Sequence, residues 1–330
     1  MIDGDLGAGR GARAVVPGLV AAAAVAAAAA PVGWAEPLVG APVVALALGV
    51  AVRAGVGDRP PLGPGIAFSS RYVLQAGIVV LGATLDLGEV ASVGGSSLPV
   101  LIGTLAAAFV AAAAAGRALG IASPLRTLIG VGTGICGASA IAAVSTVAEV
   151  SQVEIAYAIS TIFAFNLVAV LLFPPLGHLL GMSQSRFGLW AGTAINDTSS
   201  VVAAAYAYGQ TAGSHAVLVK LTRTLAIIPV VVFLAVRRRR TVRFARIVPW
   251  FLVWFLLAAA ADSSGLIPHG AHHALRVAAV ALTTVALAAV GLGTSLGAIR
   301  RAGVRPLLLG MLVWSAVAGS SLLLQAITGT

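Results

Sequence analysis

The segment GVGTGICGASAIAAVS, residues 130–145, interrupts a highly apolar chain with four glycines and the small polar residues Thr133, Cys136 and Ser139. A continuous lipid-facing helix gains nothing from this composition, because each interior glycine costs about 1 kcal/mol relative to alanine. The segment therefore predicts a helix that is broken inside the membrane, with Gly137 among the small residues at the break.

The same pattern returns 60 residues later as WAGTAINDTSSVVAAA, residues 190–205. Gly132 aligns with Gly192, and Thr133 aligns with Thr193. The second copy adds a polar run where an apolar segment is expected, formed by Asn196, Asp197, Thr198, Ser199 and Ser200. Paired interruptions in corresponding apolar segments are the best sequence indication of a transporter site built from discontinuous helices.

The composition is that of an integral membrane protein. Of the 330 residues, 59% are hydrophobic and only 9% are charged, and the mean hydropathy is +1.04. The net charge of +10 does not indicate nucleic-acid binding, because the basic residues lie singly or in short loops between apolar runs. Cys136 is the only cysteine, so an internal disulfide is excluded.

The apolar runs predict an all-α membrane protein with about 10–11 transmembrane helices, treated as a single domain over residues 1–330. The first run, 14–32, is either a retained first span or a signal peptide, and the next run follows it at once. The further spans are expected at 37–55, 72–88, 96–116, 125–149, 153–180, 187–208, 213–236, 247–263, 274–297 and 305–326.

The arginines predict the orientation in the bacterial inner membrane. They fall in alternate loops, and the intervening loops are almost free of them, so the N-terminus is expected in the cytoplasm and the C-terminus outside. The arginines on the cytoplasmic side are 10, 13, 53, 59, 71, 117, 126, 186, 237–240, 243, 246, 300, 301 and 305.

A second internal repeat relates residues 82–98 to residues 291–307, with Gly82 aligned with Gly291 and Leu98 with Leu307. The predicted topology has these copies crossing in opposite directions, as the inverted repeats of secondary transporters do. In the same predicted topology, the interrupted segments 130–145 and 190–205 cross the membrane in the same direction. Either one of them is re-entrant or the repeat is permuted.

Asp197 is the only acidic residue well inside a predicted span, so it is expected to face a cavity or a partner. The run from Asn196 to Ser199 also has the residue types of a helix N-cap. The two interpretations are compatible, because an N-cap at mid-membrane marks a broken helix.

Lys220 and Arg223 are three residues apart in the next span and share one helix face. Either they reach the membrane interface with their long side chains, or they supply positive charge to the site. Lys220 is the only lysine among 20 basic residues, which favours a role for a compact ammonium group. Two cations near exposed helix N-termini would favour an anion, and Asp197 could pair with one of them.

Six segments together resemble the family of bacterial inner-membrane proteins that is named for sulfate export, and the resemblance covers most of the chain. They are PGIAFSSRYVLQAGIVVLGATLDL (64–87), GTGICGASAIAAVS (132–145), GLWAGTAINDTSSVVAAA (188–205), VKLTRTLAIIPV (219–230), IVPWFLVWF (247–255) and GLGTSLGAIRRAGVRPL (291–307). The resemblance implies a multispan transporter similar in plan to bile-acid/sodium symporters and sodium/proton antiporters, which have crossed broken helices.

The sequence predicts a secondary transporter, an exporter of a small inorganic or organic anion such as sulfate or a sulfonate, which works by alternating access. The alternative is a monovalent cation/proton antiporter centred on Asp197. An enzyme is not expected, because the chain lacks HExxH and GxSxG motifs and an acidic metal pair. The expected partners are the anion, a coupling proton or sodium ion, the lipid bilayer and further copies of the chain; no cofactor, metal or nucleic acid is expected. The predicted substrate-binding residues are Thr133, Cys136, Gly137, Ser139, Asn196, Asp197, Thr198, Ser199, Ser200, Lys220 and Arg223.

Overall fold

The computed structural model describes residues 8–35, 40–57, 59–239, 248–294 and 303–330. Its regular elements in these ranges are all helical, as the sequence predicts. A π-helical segment, Ser69–Val73, joins the helices α3 (Gly63–Phe68) and α4 (Leu74–Gly82). The helices are α1 (Ala8–Ala35), α2 (Gly40–Val56), α3 (Gly63–Phe68), α4 (Leu74–Gly82), α5 (Leu87–Ala118), α6 (Ser123–Gly134), α7 (Ala138–Ser145), α8 (Gln152–Leu179), α9 (Gln184–Ala194), α10 (Thr198–Tyr208), α11 (Gln210–Thr224), α12 (Ile227–Arg237), α13 (Trp250–Ser263), α14 (His272–Gly293) and α15 (Val304–Thr328).

Seven helical segments of the described chain are long and apolar enough to cross a membrane. Two shorter apolar helices correspond to α2 and α13, and two further predicted spans are the broken pairs α6/α7 and α9/α10. The seven long segments are Arg13–Pro31, Pro60–Gly82, Leu87–Ala118, Gln152–Leu179, Gln210–Arg237, His269–Gly293 and Val304–Thr328. The chain is thus a multi-pass membrane protein.

Two predicted spans have wrong boundaries, because the segment expected to begin at 72 begins at Pro60 and the span expected at 96–116 begins at Leu87. The span expected at 72–88 ends at Gly82, and the chain turns before α5 begins at Leu87. The turn is fixed by Asp86, whose carboxylate accepts hydrogen bonds from the backbone N–H groups of Gly88 at 2.7 Å and Glu89 at 3.3 Å. Asp86 is therefore an N-cap, which the apolar residues on either side of it concealed.

The described residues form two compact units. One is drawn from Met1–Leu85 and Trp254–Ser295, and the other from Asp86–Val253 and Leu296–Thr330. The chain therefore leaves the first unit at 85/86, within the first copy of the second repeat. Gly297 and Ile299 of that repeat lie outside the described residues, as do arginines 240, 243, 246, 300 and 301. The inverted repeat and the single domain remain predictions.

The first unit is held together by close backbone contacts between helices. Ala22, Ala26 and Ala29 of α1 are buried in one cluster with Ala45 of α2 and residues of α14. Gly49 of α2 lies against the backbone of α14, where an added Cβ would lie 2.5 Å from the carbonyl oxygen of Ala288. Small residues thus allow helix backbones to approach closely, which drives packing where lipid offers no hydrophobic gain.

Replacing Gly49 with alanine is expected to destabilise the protein by about 1–3 kcal/mol, because the new methyl group would force α2 away from α14. The melting temperature of the purified protein measures this effect. Gly55→Ala on the same helix is the matched control, since an added Cβ there has no atom within 4 Å. Equal melting temperatures for the two variants would contradict the proposed packing.

In the second unit, the glycines that mark the two interrupted segments also serve packing. Gly130 and Gly134 of α6 lie against Ala112 and Ala108 of α5. Likewise, an added Cβ at Gly192 of α9 would lie 2.8 Å from the carbonyl oxygen of Ala216 on α11. Part of the glycine pattern therefore reflects helix contacts of the small-xxx-small type rather than the breaks themselves.

Candidate functional site

Both interrupted segments are broken, and they break at the same position of the 60-residue repeat. The helix α6 ends at Gly134 and α7 begins at Ala138, which leaves a first break at 135–137. The helix α9 ends at Ala194 and α10 begins at Thr198, which leaves a second break at 195–197. The predicted pair of broken helices is therefore confirmed.

The two breaks touch each other at Gly137 and Asp197. An added Cβ on Gly137 would lie 3.2 Å from Cβ and 3.5 Å from Cα of Asp197. Gly137 has φ 68° and ψ −132°, a conformation that L side chains rarely adopt. Glycine is thus required at the first break both by the backbone and by the proximity of the second break.

Asp197 is the N-cap of α10, as the sequence predicts. Its carboxylate accepts from the backbone N–H of Ser200 at 3.0 Å, from the Ser200 hydroxyl at 2.7 Å and from the Ser199 hydroxyl. The negative charge also lies at the positive end of the α10 dipole. These bonds explain three of the four polar residues that follow Asn196 in an apolar region, namely Asp197, Ser199 and Ser200.

Lys220 and Arg223 donate hydrogen bonds to backbone carbonyls at the carboxyl ends of α9 and α6. Lys220 Nζ donates to the carbonyl oxygen of Ile195 at 2.7 Å, immediately after α9. Arg223 Nε donates to the carbonyl oxygen of Gly134 at 2.6 Å, at the last residue of α6. One face of α11 thus supplies a cation to each break, where the last carbonyls of a helix have no partner within it.

This arrangement corrects two expectations about the cations. They meet helix C-termini and not N-termini, and the described residues contain no ion pair within 4.0 Å between Asp197 and either cation. The side chains do not reach the membrane interface, because Lys220 is 0% and Arg223 is 2% exposed. Helical periodicity placed the two on one face, but it could not tell which ends of neighbouring helices they meet.

Several buried polar atoms around the breaks have no hydrogen-bond partner among the described residues. They are Thr133 Oγ1, Arg223 Nη1, both side-chain polar atoms of Asn196, and Nδ2 of Asn166. Buried polar groups in proteins are nearly always paired, so such a cluster indicates a place where a ligand or water completes the bonding.

Asn166 is a site residue that the sequence analysis missed. It lies on α8, is 2% exposed, and its Oδ1 accepts from the backbone N–H of Asn196 at 3.2 Å. The available signal was a single amide within the apolar run 162–173, since polar residues in a membrane span usually face a partner.

The remaining predicted residues differ in their surroundings. Cys136 is buried in the apolar core that includes Ile135 and Ile141. Thr198 is half-buried at the start of α10. Ser139 is exposed in the first turn of α7, so its hydroxyl does not join the buried cluster.

The formal charges of Lys220, Arg223 and Asp197 sum to +1, and Asp197 is half-buried. The four helix ends change this sum little, because the partial charges of two C-termini and two N-termini cancel. The breaks therefore combine a single excess positive charge with unpartnered donors and a few acceptors in a buried environment.

These features define a multi-pass, all-helical membrane protein with a buried polar site at two broken helices. Residues 17–310 match the family described as Conserved hypothetical protein 698, and the chain belongs to this family. A UPF0324 membrane protein of Streptococcus agalactiae is 38% identical over 328 residues, which cover 96% of this chain and 98% of the relative. A UPF0324 membrane protein of Clostridium tetani is 38% identical over 312 residues, which cover 88% and 90%. No solved structure matches the chain.

Proposed function

We propose that the protein is a secondary transporter of a small anion that works by alternating access, with sulfate and sulfonates among its candidate substrates. The observation that carries the proposal is the pair of buried basic side chains, Lys220 and Arg223, at two touching helix breaks, together with the unpartnered donor Arg223 Nη1. Buried donors and positive charge attract an anion strongly, because water does not screen them. The family names describe membrane proteins and give no substrate, so sulfate export is part of this proposal.

Transport supplies a reason for tolerating irregular backbone at the breaks. Such backbone is stable inside a membrane only where protein or a water-filled cavity satisfies it, and here Lys220 and Arg223 bind the exposed carbonyls. The proposal assigns the chain no catalytic role, cofactor or metal. It places the protein in the bacterial inner membrane with a cytoplasmic N-terminus, and it allows for a homo-oligomer and for a coupling proton or sodium ion.

The test is anion flux in proteoliposomes that contain the full chain, measured by ion chromatography for sulfate, hydrogencarbonate, phosphate and isethionate. We expect Lys220→Met to lower the flux of the transported anion by about tenfold or more, because it removes the excess positive charge. Arg186→Met is the matched control, since Arg186 is exposed on α9. Flux that is unaffected by Lys220→Met would contradict the proposal.

The alternative of a cation/proton antiporter rests on Asp197, the one carboxylate at the breaks. Asp197→Asn separates the two functions, because asparagine is an equally good N-cap and preserves the start of α10. An anion transporter is expected to bind its anion about threefold more tightly or better, since the site then carries one more positive charge. An antiporter would instead lose exchange driven by sodium or by a pH gradient, which fluorescent sodium and pH dyes report.

A further inference from the structure

The side chain of Asn196 has both an unpartnered hydrogen-bond donor and an unpartnered acceptor. Its side chain is 1% exposed, and neither Oδ1 nor Nδ2 has a partner among the described residues. Exchanging the two amide atoms leaves this count unchanged, so the conclusion does not depend on how the amide is oriented. A ligand that satisfies Asn196 must therefore both accept and donate a hydrogen bond.

Asn166 and the two cations supply only donors. The Oδ1 atom of Asn166 is already bonded to the backbone N–H of Asn196, which leaves Nδ2 as the free group. Arg223 Nη1 is a further unpartnered donor, and the Lys220 ammonium has N–H groups beyond the one bonded to Ile195. These groups match the oxygens of an anion, whereas Asn196 Oδ1 requires a donor on the same ligand.

The charge points to the same ligand class. One singly charged anion balances the formal +1 of Lys220, Arg223 and Asp197, whereas a dianion such as sulfate leaves an excess negative charge at the site. A fully ionised sulfate also carries no donor, so it would leave the acceptor of Asn196 buried and unpaired.

We propose, on the basis of the anion-transporter function above, that the breaks select a singly charged oxyanion that keeps an O–H group. Hydrogencarbonate and dihydrogen phosphate represent this class. The O–H group donates to Oδ1 of Asn196, the free amide groups of Asn166 and Asn196 donate to the other oxygens, and the cations balance the charge.

The deciding experiment compares pairs of anions that differ in this donor. Hydrogencarbonate and nitrate are both planar and singly charged, but only hydrogencarbonate has an O–H group. Their dissociation constants are measured on the purified full chain at pH 8, at constant sodium concentration and ionic strength. We expect hydrogencarbonate to bind at least about tenfold more tightly than nitrate, because nitrate leaves a buried acceptor unpaired. At pH 6, phosphate is likewise expected to bind more tightly than sulfate.

Variants test whether the side-chain amide of Asn196 causes the preference for hydrogencarbonate over nitrate. Asn196→Leu is expected to reduce the hydrogencarbonate preference to about threefold or less, and Asn196→Ala, which removes the same acceptor without added bulk, serves the same purpose where the first variant does not fold. Gln325→Leu is the matched control, because Gln325 is another buried amide, bonded within α15 to Ser321 at 3.3 Å. This control is expected to retain the preference.

The outcomes distinguish this inference from the function on which it rests. Equal affinity for hydrogencarbonate and nitrate, or a preference that survives Asn196→Leu, would overturn the selection of an O–H group and leave anion transport standing. Binding of none of the four anions and of no isethionate would overturn both, and would assign the unpaired amide atoms to bound water.

Discussion

Replacing Arg223 with methionine is expected to weaken anion binding by at least about 30-fold, corresponding to about 2 kcal/mol. Methionine has a similar length but removes the charge, the unpartnered Nη1 donor, and the Nε bond to the carbonyl oxygen of Gly134 at 2.6 Å. The effect is large because the guanidinium is 2% exposed, so no water molecule from bulk solvent takes its place. Isothermal titration of the purified protein with its tightest-binding anion measures the change.

Arg223→Lys separates charge from geometry. Lysine keeps the positive charge but lacks the planar fork that reaches the carbonyl oxygens of both Gly134 and Thr133. We expect an intermediate loss of affinity. Arg186→Met controls for the loss of one arginine on an exposed surface. An Arg223→Met variant that binds as tightly as the original protein would show that this cation is only a helix cap.

Replacing Gly137 with alanine is expected to destabilise the protein by about 2–3 kcal/mol and to abolish transport. The backbone at φ 68° and ψ −132° strains any L side chain, and the new methyl group would also press on Asp197 at 3.2 Å. Since the contact joins the two breaks, the strain acts on the site itself. Thermal unfolding and proteoliposome flux, measured on the same preparation, report the two effects.

Substitutions at two other glycines serve as references for the cost of Gly137→Ala, one for a positive φ and one for an added methyl group in open space. Gly120 also has a positive φ of 65°, but an added Cβ there has no atom within 4 Å, so Gly120→Ala measures the cost of a positive φ without a contact, about 1 kcal/mol. Gly95 lies in open space within α5, and Gly95→Ala is expected to be neutral or stabilising. If Gly137→Ala costs no more than Gly120→Ala, the contact between the breaks does not contribute to stability.

The breaks themselves were predictable because they depend on local sequence. Glycines at 132, 134 and 137 weaken a helix wherever it is placed, and Asp197 with the two serines after it caps a helix through bonds within three residues. The turn at Asp86 depends on an equally local cap, but the apolar residues around it made the span look continuous. The N-cap at Asp86 was therefore not predicted, because the residues on either side of it are uniformly apolar.

The partners of the buried polar groups were not predictable in this way. Lys220 and Arg223 were assigned to helix N-termini, and the structure has them at the carbonyls of Ile195 and Gly134. Periodicity along α11 identifies one face of that helix, but it contains no information on which neighbouring helix ends lie opposite. Asn166 was missed for the same reason, since its partner Asn196 is 30 residues away on another helix.

The sequence by itself determined that this chain crosses a membrane many times and that two repeated segments interrupt their helices at equivalent positions. Both properties follow from composition and from interactions between residues close in the chain. Only the tertiary structure decided that Gly137 touches Asp197, that α11 supplies a cation to each break, and that Asn166 Oδ1 accepts from the backbone N–H of Asn196. These contacts depend on the packing of helices distant in sequence, where small residues set how closely backbones approach.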